Sequence, residues 1–267
     1  MRSLFHQTIV VISNAFRRLE KQVPSPKLVS FGDGHVCRFL EKTLEQALLL
    51  KLARVVTGLK ALDVLLAAGL FQEMAAICRV LDEIGEDIAF LAAAVTNAQK
   101  TELHDRYLKG FWAEEFPDPE NTFARHEKPN MPRRSKIQAY VQRVLNPLED
   151  LSRISDANQV ISSTYSGYVH ASAPQVLDMF GGDPPHFHIE GMSGTPRMND
   201  HVYDCWNYFY RGMGSSIIVA RAFGDASLSL ALGEYHDKFL KQSGHRAKTE
   251  KVNPIAGKEP ATRSPNE

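Results

Sequence analysis

Apolar residues recur at intervals of three and four along most of this chain, the period of helices that bury one face. Over residues 43–68, Leu44, Leu48, Leu52, Val55, Leu59, Leu62, Leu65 and Leu66 keep that spacing, and Gly69 stands where a helix end favours a left-handed residue. The same period predicts a helix over 71–99 through Ile77, Val80, Leu81, Ile84, Ile88, Leu91 and Val95. A neighbouring stripe of Cys78, Asp82, Gly85, Ala89 and Ala92 is small enough for another helix to approach closely. These two helices are expected to pair as an antiparallel hairpin. Further helices are predicted over 101–115, 133–146, 148–172, 174–180, 200–223 and 226–242, with Asp225 capping the last and Gly224 and Gly244 turning helix ends. No run alternates apolar and polar residues for long enough to predict a β-hairpin, and no internal repeat is visible.

The expected fold class is therefore all-α, a multi-helix bundle with a long irregular loop near residues 180–198, where Gly181-Gly-Asp-Pro-Pro and Gly191-Met-Ser-Gly-Thr-Pro break the helical period. Residues 1–243 are expected to form a single helical domain. Residues 244–267 are aperiodic and rich in Lys, Pro, Ser and Glu, the composition of a disordered tail. Residues 116–132 hold four prolines and many charges and are expected as a surface loop.

Composition narrows the functional classes. Lys and Arg (31) balance Asp and Glu (31), so net charge does not favour nucleic acid or an anionic membrane as partner. The apolar stretch over 59–77 is broken by Lys60, Asp63, Gln72 and Glu73, and the run over 9–12 lacks the flanks of a signal peptide, so no membrane association is expected. Cys37, Cys78 and Cys205 are odd in number and far apart, with no CxxC spacing; a reducing, cytoplasmic location fits them.

Candidate chemistry concentrates between Tyr165 and Arg211, with one constellation outside it. Arg79, Glu83 and Asp87 stand one turn apart along one helix face, at the boundary between core and solvent. They are either surface ion pairs or the wall of a polar pocket inside the bundle. His186, His188 and Glu190 alternate. In extended backbone they would share a side and offer zinc or iron a two-histidine, one-carboxylate set, with His170 and His201 as further donors. Tyr165, Tyr168 and His170 lie near a helix end, as loop anchors or as a general acid or base at a pocket mouth. Tyr203, Trp206, Tyr208, Phe209 and Tyr210 cover nearly every face of one helix and read mainly as core. The hydrolase elbow GxSxG, the HExxH zinc helix, the phosphate-binding loop and a dinucleotide GxGxxG are all absent.

The combination of Arg79-x-x-x-Glu83 with the Tyr-Ser-x-Tyr-Val-His170 helix end, then Gly191-Met and Pro196-Arg197 before a Tyr-rich helix, resembles a broad group of bacterial all-helical proteins of unknown function. Some of these are distantly similar to the HEPN group of nucleotide-binding helical domains. The resemblance implies a helical fold over about residues 43–223. In HEPN ribonucleases an arginine shortly before a histidine acts on the RNA backbone. Here only three residues separate Arg197 from His201, and Arg153 has no histidine in range. The sequence thus leads to a binding module without a cofactor, its polar pocket taking a small or anionic ligand at Arg79, His170 and Arg197, with Glu83, Tyr165 and Tyr168 alongside. The alternatives are a HEPN-like ribonuclease using Arg79 and His170, and a metal-dependent hydrolase with zinc or iron at His186, His188 and Glu190.

Overall fold

The computed structural model describes residues 1–97, 99–114, 121, 129–145 and 164–244. The first helix, α1 (Arg2–Glu20), is an element the sequence reading did not assign. It buries Phe5, Thr8, Ile12, Ala15 and Leu19, whose alternating steps of three and four keep one stripe against the bundle. Strands β1 (Lys27–Phe31) and β2 (Gly34–Arg38) then form an antiparallel hairpin around Gly32-Asp33, with Phe31 opposite Gly34. This corrects the expectation of no hairpin. Gly32 at φ +55° supplies the turn that suits the right-handed twist of paired strands. Only Val29, Phe31, Val36 and Arg38 are half-buried, two per strand, so the alternation is too short to stand out in sequence.

Helices α2 (Leu44–Ala68) and α3 (Phe71–Thr96) form the predicted pair. The start of α2 is fixed by a reciprocal cap: the Gln46 amide N–H donates to the Thr43 hydroxyl at 3.2 Å, and the Thr43 N–H donates to the Gln46 side chain at 2.9 Å. Its end is the left-handed Gly69, at φ +72°. Helix α4 (Glu102–Phe111) is capped by Thr101 and His104. His104 is wholly buried and stacks on Phe90 at 4.0 Å; its Nδ1 accepts from the Thr101 N–H, so Nε2 carries the proton and donates to the Phe90 carbonyl at 3.0 Å. Helix α5 (Arg134–Leu145) lies on α3.

Residues 164–169 are helical, followed by α6 (Ala173–Leu177), the short strands β3 (Phe180–Gly181) and β4 (His186–Phe187), then α7 (Met198–Ala222) and α8 (Ala226–Ser243). The loop expected to be irregular thus contains a second hairpin, with the Phe180 and Phe187 rings 4.9 Å apart. Its strands are two residues long, below what a period of two can reveal. Asp225 caps α8 as expected, accepting from the Leu228 N–H at 3.1 Å. Most of the expected 116–132 loop, residues 148–163 of the expected 148–172 helix and the expected disordered tail from residue 245 onward lie outside the described residues.

The architecture is an all-α multi-helix bundle with, among the described residues, two small hairpins. Its main core runs from Phe5 of α1 through Leu52, Leu59 and Ile88 of the central pair to Phe209 and Phe239 of α7 and α8. Close approach sets its centre. A Cβ on Gly58 of α2 would lie 2.7 Å from Leu81 of α3, and one on Gly212 of α7 would lie 2.7 Å from Leu59 of α2. None of the described helices is long and apolar enough to cross a membrane.

One backbone junction fixes the loop between β4 and α7. The Met192 N–H donates to the Gly69 carbonyl at 2.8 Å, and Gly191, at φ +115°, packs so that an added Cβ would lie 2.2 Å from the Ala68 carbonyl oxygen. Met192 is buried there, in the main core cluster. Gly191→Ala is therefore expected to cost about 1–3 kcal/mol, by left-handed strain and collision together, whereas Gly181→Ala, with open space around it, has a much smaller effect. Urea midpoints of the two variants measure the difference, and equal midpoints would refute the junction. A second expectation concerns pH. Burial lowers the pKa of His104 below its ordinary value, so its contribution is complete above about pH 6.5 and is lost as the pH falls toward the folded-state value. His104→Gln should therefore flatten the stability profile on the acid side of neutrality, measured as urea midpoints between about pH 7.5 and 5.5.

Candidate functional site

The row of charges predicted along α3 is present, and its buried member organises it. Asp87, 3% exposed, accepts from Lys51 Nζ of α2 at 2.7 Å and from Arg134 Nη1 of α5 at 2.5 Å. Arg134 also lies 3.6 Å from Glu83 and 3.6 Å from Glu86, while Arg79 donates to Glu83 at 3.1 Å. Burial opposes the Arg134 charge, but Asp87, Glu86 and Glu83 outweigh it and raise its pKa. Lys51 stands 5.0 Å over the Phe111 ring and 5.7 Å over Tyr107, whose hydroxyl is driven far up by burial and then by Asp87. Arg79 and Glu83, by contrast, are only part-buried.

A second assembly centres on Asp82. Its carboxylate accepts from the Tyr208 hydroxyl at 2.8 Å and from Arg211 Nη1 at 2.5 Å, and the Arg211 guanidinium lies 5.2 Å over the Tyr208 ring. Tyr165 meets Tyr208 edge-on at 6.2 Å. Burial, then the Asp82 charge, lifts the Tyr208 pKa far above its ordinary value. Burial likewise lifts Tyr165 and the thiols of Cys78 and Cys205, which are thereby kept protonated and poor nucleophiles.

The third assembly is a clasp around Asp178, which accepts from the Tyr168 hydroxyl at 3.0 Å and pairs with Arg197 at 2.9 Å. Burial and that bond push the Tyr168 pKa up to about 12. His170 is exposed at the end of the helical segment. The contacts thus divide the residues singled out from sequence: Arg79 with Glu83, Tyr165 with Tyr208, and Tyr168 with Arg197. His201, the partner of Arg197 in the ribonuclease spacing, stacks on Phe71 at 4.1 Å.

The metal set does not converge. Strand β4 ends at Phe187, so the alternation meant to align His186, His188 and Glu190 stops before it reaches the second histidine, and Glu190 lies in a turn. His186 and His188 pack at 4.4 Å, and His186 Nδ1 is tied to the Pro184 carbonyl at 2.9 Å. Among the described residues no three His, Cys, Asp or Glu side chains form a group that could hold a metal ion.

The feature with the shape of a ligand site lies elsewhere. A cleft of about 370 Å³ opens between α2, α3, α5, α7 and α8, walled by Leu59, Leu81, Val141 and Ile218, with polar groups from Glu86, Tyr208, Tyr210, Arg211, Ser215 and His236. Gly85 and Gly214 make room for it by lacking side chains: an added Cβ would meet Ser215 Oγ at 3.9 Å at Gly85 and nothing within 4 Å at Gly214. Burial raises the Glu86 pKa against a 2.9 Å hydrogen bond from Gln138 to Oε1 and the Arg134 charge. Glu86 Oε2 is buried and has no hydrogen-bond partner among the described residues. His236, 4.1 Å from the Tyr210 ring, has its pKa lowered by burial, and its buried Nε2 also lacks a partner. A larger, shallower depression of about 670 Å³ lies along the outer side of α7 and α8 and shares His236. Sequence reasoning named Gly85 in the small stripe but missed Glu86, Ser215 and His236; the only signal was polar residues interrupting otherwise apolar helix faces. Comparison of the chain with protein-family models, with curated proteins and with solved structures finds no match.

Removing Asp87 and removing Glu83 should differ sharply. Asp87→Ala leaves Lys51 and Arg134 facing each other without their shared carboxylate and should cost on the order of 3 kcal/mol, against well under about 1 kcal/mol for Glu83→Ala at its half-exposed pair. Denaturant titration of both variants checks this. A small Asp87 effect would mean that the network does not hold the bundle.

Proposed function

We propose that the protein is a binding module, a helical bundle whose cleft between α2, α3, α5, α7 and α8 receives a small ligand with an apolar body and a polar end. The observation that carries this reading is the cleft itself: about 370 Å³ of mostly apolar wall with a few polar groups, the size and lining typical of small-molecule sites. Among the described residues, two buried polar atoms on its walls lack partners, and a ligand with matching groups would satisfy them. The cations expected to hold an anion favour this cleft over their own neighbourhood, because Glu83 already pairs with Arg79 and Asp178 with Arg197.

Binding is favoured over hydrolysis by the state of the candidate nucleophiles: burial holds the Tyr208 hydroxyl on the cleft wall, bonded to Asp82, in its protonated form, and does the same to the thiols of Cys78 and Cys205. The free state of all three cysteines supports a reducing compartment such as the cytoplasm. The test is methyl-resolved NMR of the full chain against a library of small apolar-bodied, polar-headed compounds. Hits should shift the methyl signals of Leu59, Leu81, Val141 and Ile218 together and leave those of the α1 face unmoved. A library that moves none of these four, or shifts scattered over the whole bundle, would sink the proposal.

A further inference from the structure

We infer that the cleft selects a ligand bearing a protonated amine, which donates to Glu86 and lays its apolar body against Leu59, Leu81 and Ile218. This rests on the reading of the cleft as a ligand site and adds the chemistry of the head group. The polar groups on its walls are not equivalent. Among the described residues Arg211 is the only Lys or Arg lining it, and its charge is already answered by Asp82 at 2.5 Å, the same carboxylate that takes the Tyr208 hydroxyl. A carboxylate or phosphate ligand would have to compete with Asp82 for that guanidinium.

Glu86 is in the opposite position. Oε1 is held by Gln138, and the nearest cation, Arg134, is 3.6 Å from Oε2, beyond hydrogen-bond reach and shared with Asp87 at 2.5 Å and Glu83 at 3.6 Å. Among the described residues, Oε2 is thus a buried acceptor with no donor within hydrogen-bond reach, on the wall of a cavity. A buried carboxylate oxygen left bare is unfavourable, and a charged N–H is the donor that compensates it best, since charge-assisted hydrogen bonds are about twice as strong as neutral ones. His236 Nε2, the other unpartnered atom, belongs to a neutral imidazole and accepts or donates according to its tautomer, so it accommodates a second substituent without fixing its charge. The walls select against a bare ammonium or a polyamine, which would leave aliphatic surface uncovered.

Three compounds with nearly the same apolar body separate the possibilities: phenethylamine, hydrocinnamate and phenethyl alcohol, titrated calorimetrically into the full-length protein. The amine should bind at least about tenfold more tightly than the other two. Glu86→Gln should bring the amine down to the level of the alcohol while leaving the alcohol unchanged. Gly214→Trp, at a cleft-lining position where a Cβ meets nothing within 4 Å, should fill the cavity and abolish binding of all three without unfolding the bundle. Equal binding of amine and acid, or amine affinity that survives Glu86→Gln, would overturn the head-group inference and leave the cleft standing as a ligand site. Failure of all three compounds to bind, or binding that persists in Gly214→Trp, would overturn both.

Discussion

One buried carboxylate ties this bundle together. Asp87 sits in the middle of α3 and draws a lysine from α2 and an arginine from α5 onto itself, with the aromatic rings of α4 beneath the lysine. A lone carboxylate at that depth would be strongly unfavourable, so its position is tenable only when both cations arrive. That requirement constrains register. The α2 lysine and the α5 arginine must stand at the height of Asp87, and hydrophobic burial, which is roughly indifferent to axial sliding, cannot impose this by itself. Helix α5 is short and mostly polar, and its packing on α3 rests on Arg134 and Gln138 as much as on Ile137.

The cleft follows from the same arrangement. Arg134 reaches inward to Asp87, and Gln138, one turn along, engages only Oε1 of Glu86. The second oxygen is left over at the point where Gly85 and Gly214 withdraw side-chain volume between α3 and α7. Small residues thus act in two ways in this fold. At Gly58 and Gly212 they let α2 meet its neighbours closely, and along the α3–α7 seam they leave space.

Much of the scaffold was legible in the sequence because its helices are long and strongly periodic: α2, α3, α7 and α8 fall within a few residues of their predicted ends, with Gly69, Asp225 and Gly244 performing the predicted terminal roles. The two hairpins were not legible, since each exposes most of its surface and offers too few alternating positions. The charged row on α3 was visible as a row, but spacing alone could not tell that Asp87 is buried and Glu83 is not, because that depends on where Lys51 and Arg134 arrive from other helices. The histidine cluster drew attention by its density, yet its backbone leaves the strand before the geometry a metal needs is reached. Glu86 and His236 showed in the sequence only as polar residues on otherwise apolar helix faces. Their significance comes from what they lack, and a missing partner becomes visible only in three dimensions.

The tethering of the segment between α6 and α7 has a further consequence. It is tied at Asp178 by the clasp to Tyr168 and Arg197, and at Met192 by the bond to Gly69, while the hairpin turn around Gly182–Pro185 projects between those anchors with every turn residue exposed. The turn is thereby mechanically insulated from the helices. Extra residues inserted there would meet chiefly the entropy of closing a longer loop, about 0.6 kcal/mol for each doubling of its length, because no buried contact has to be broken to admit them. The tip is thus a natural attachment point for a tag or a reporter domain, which could be placed there with the bundle and its cleft left as they are.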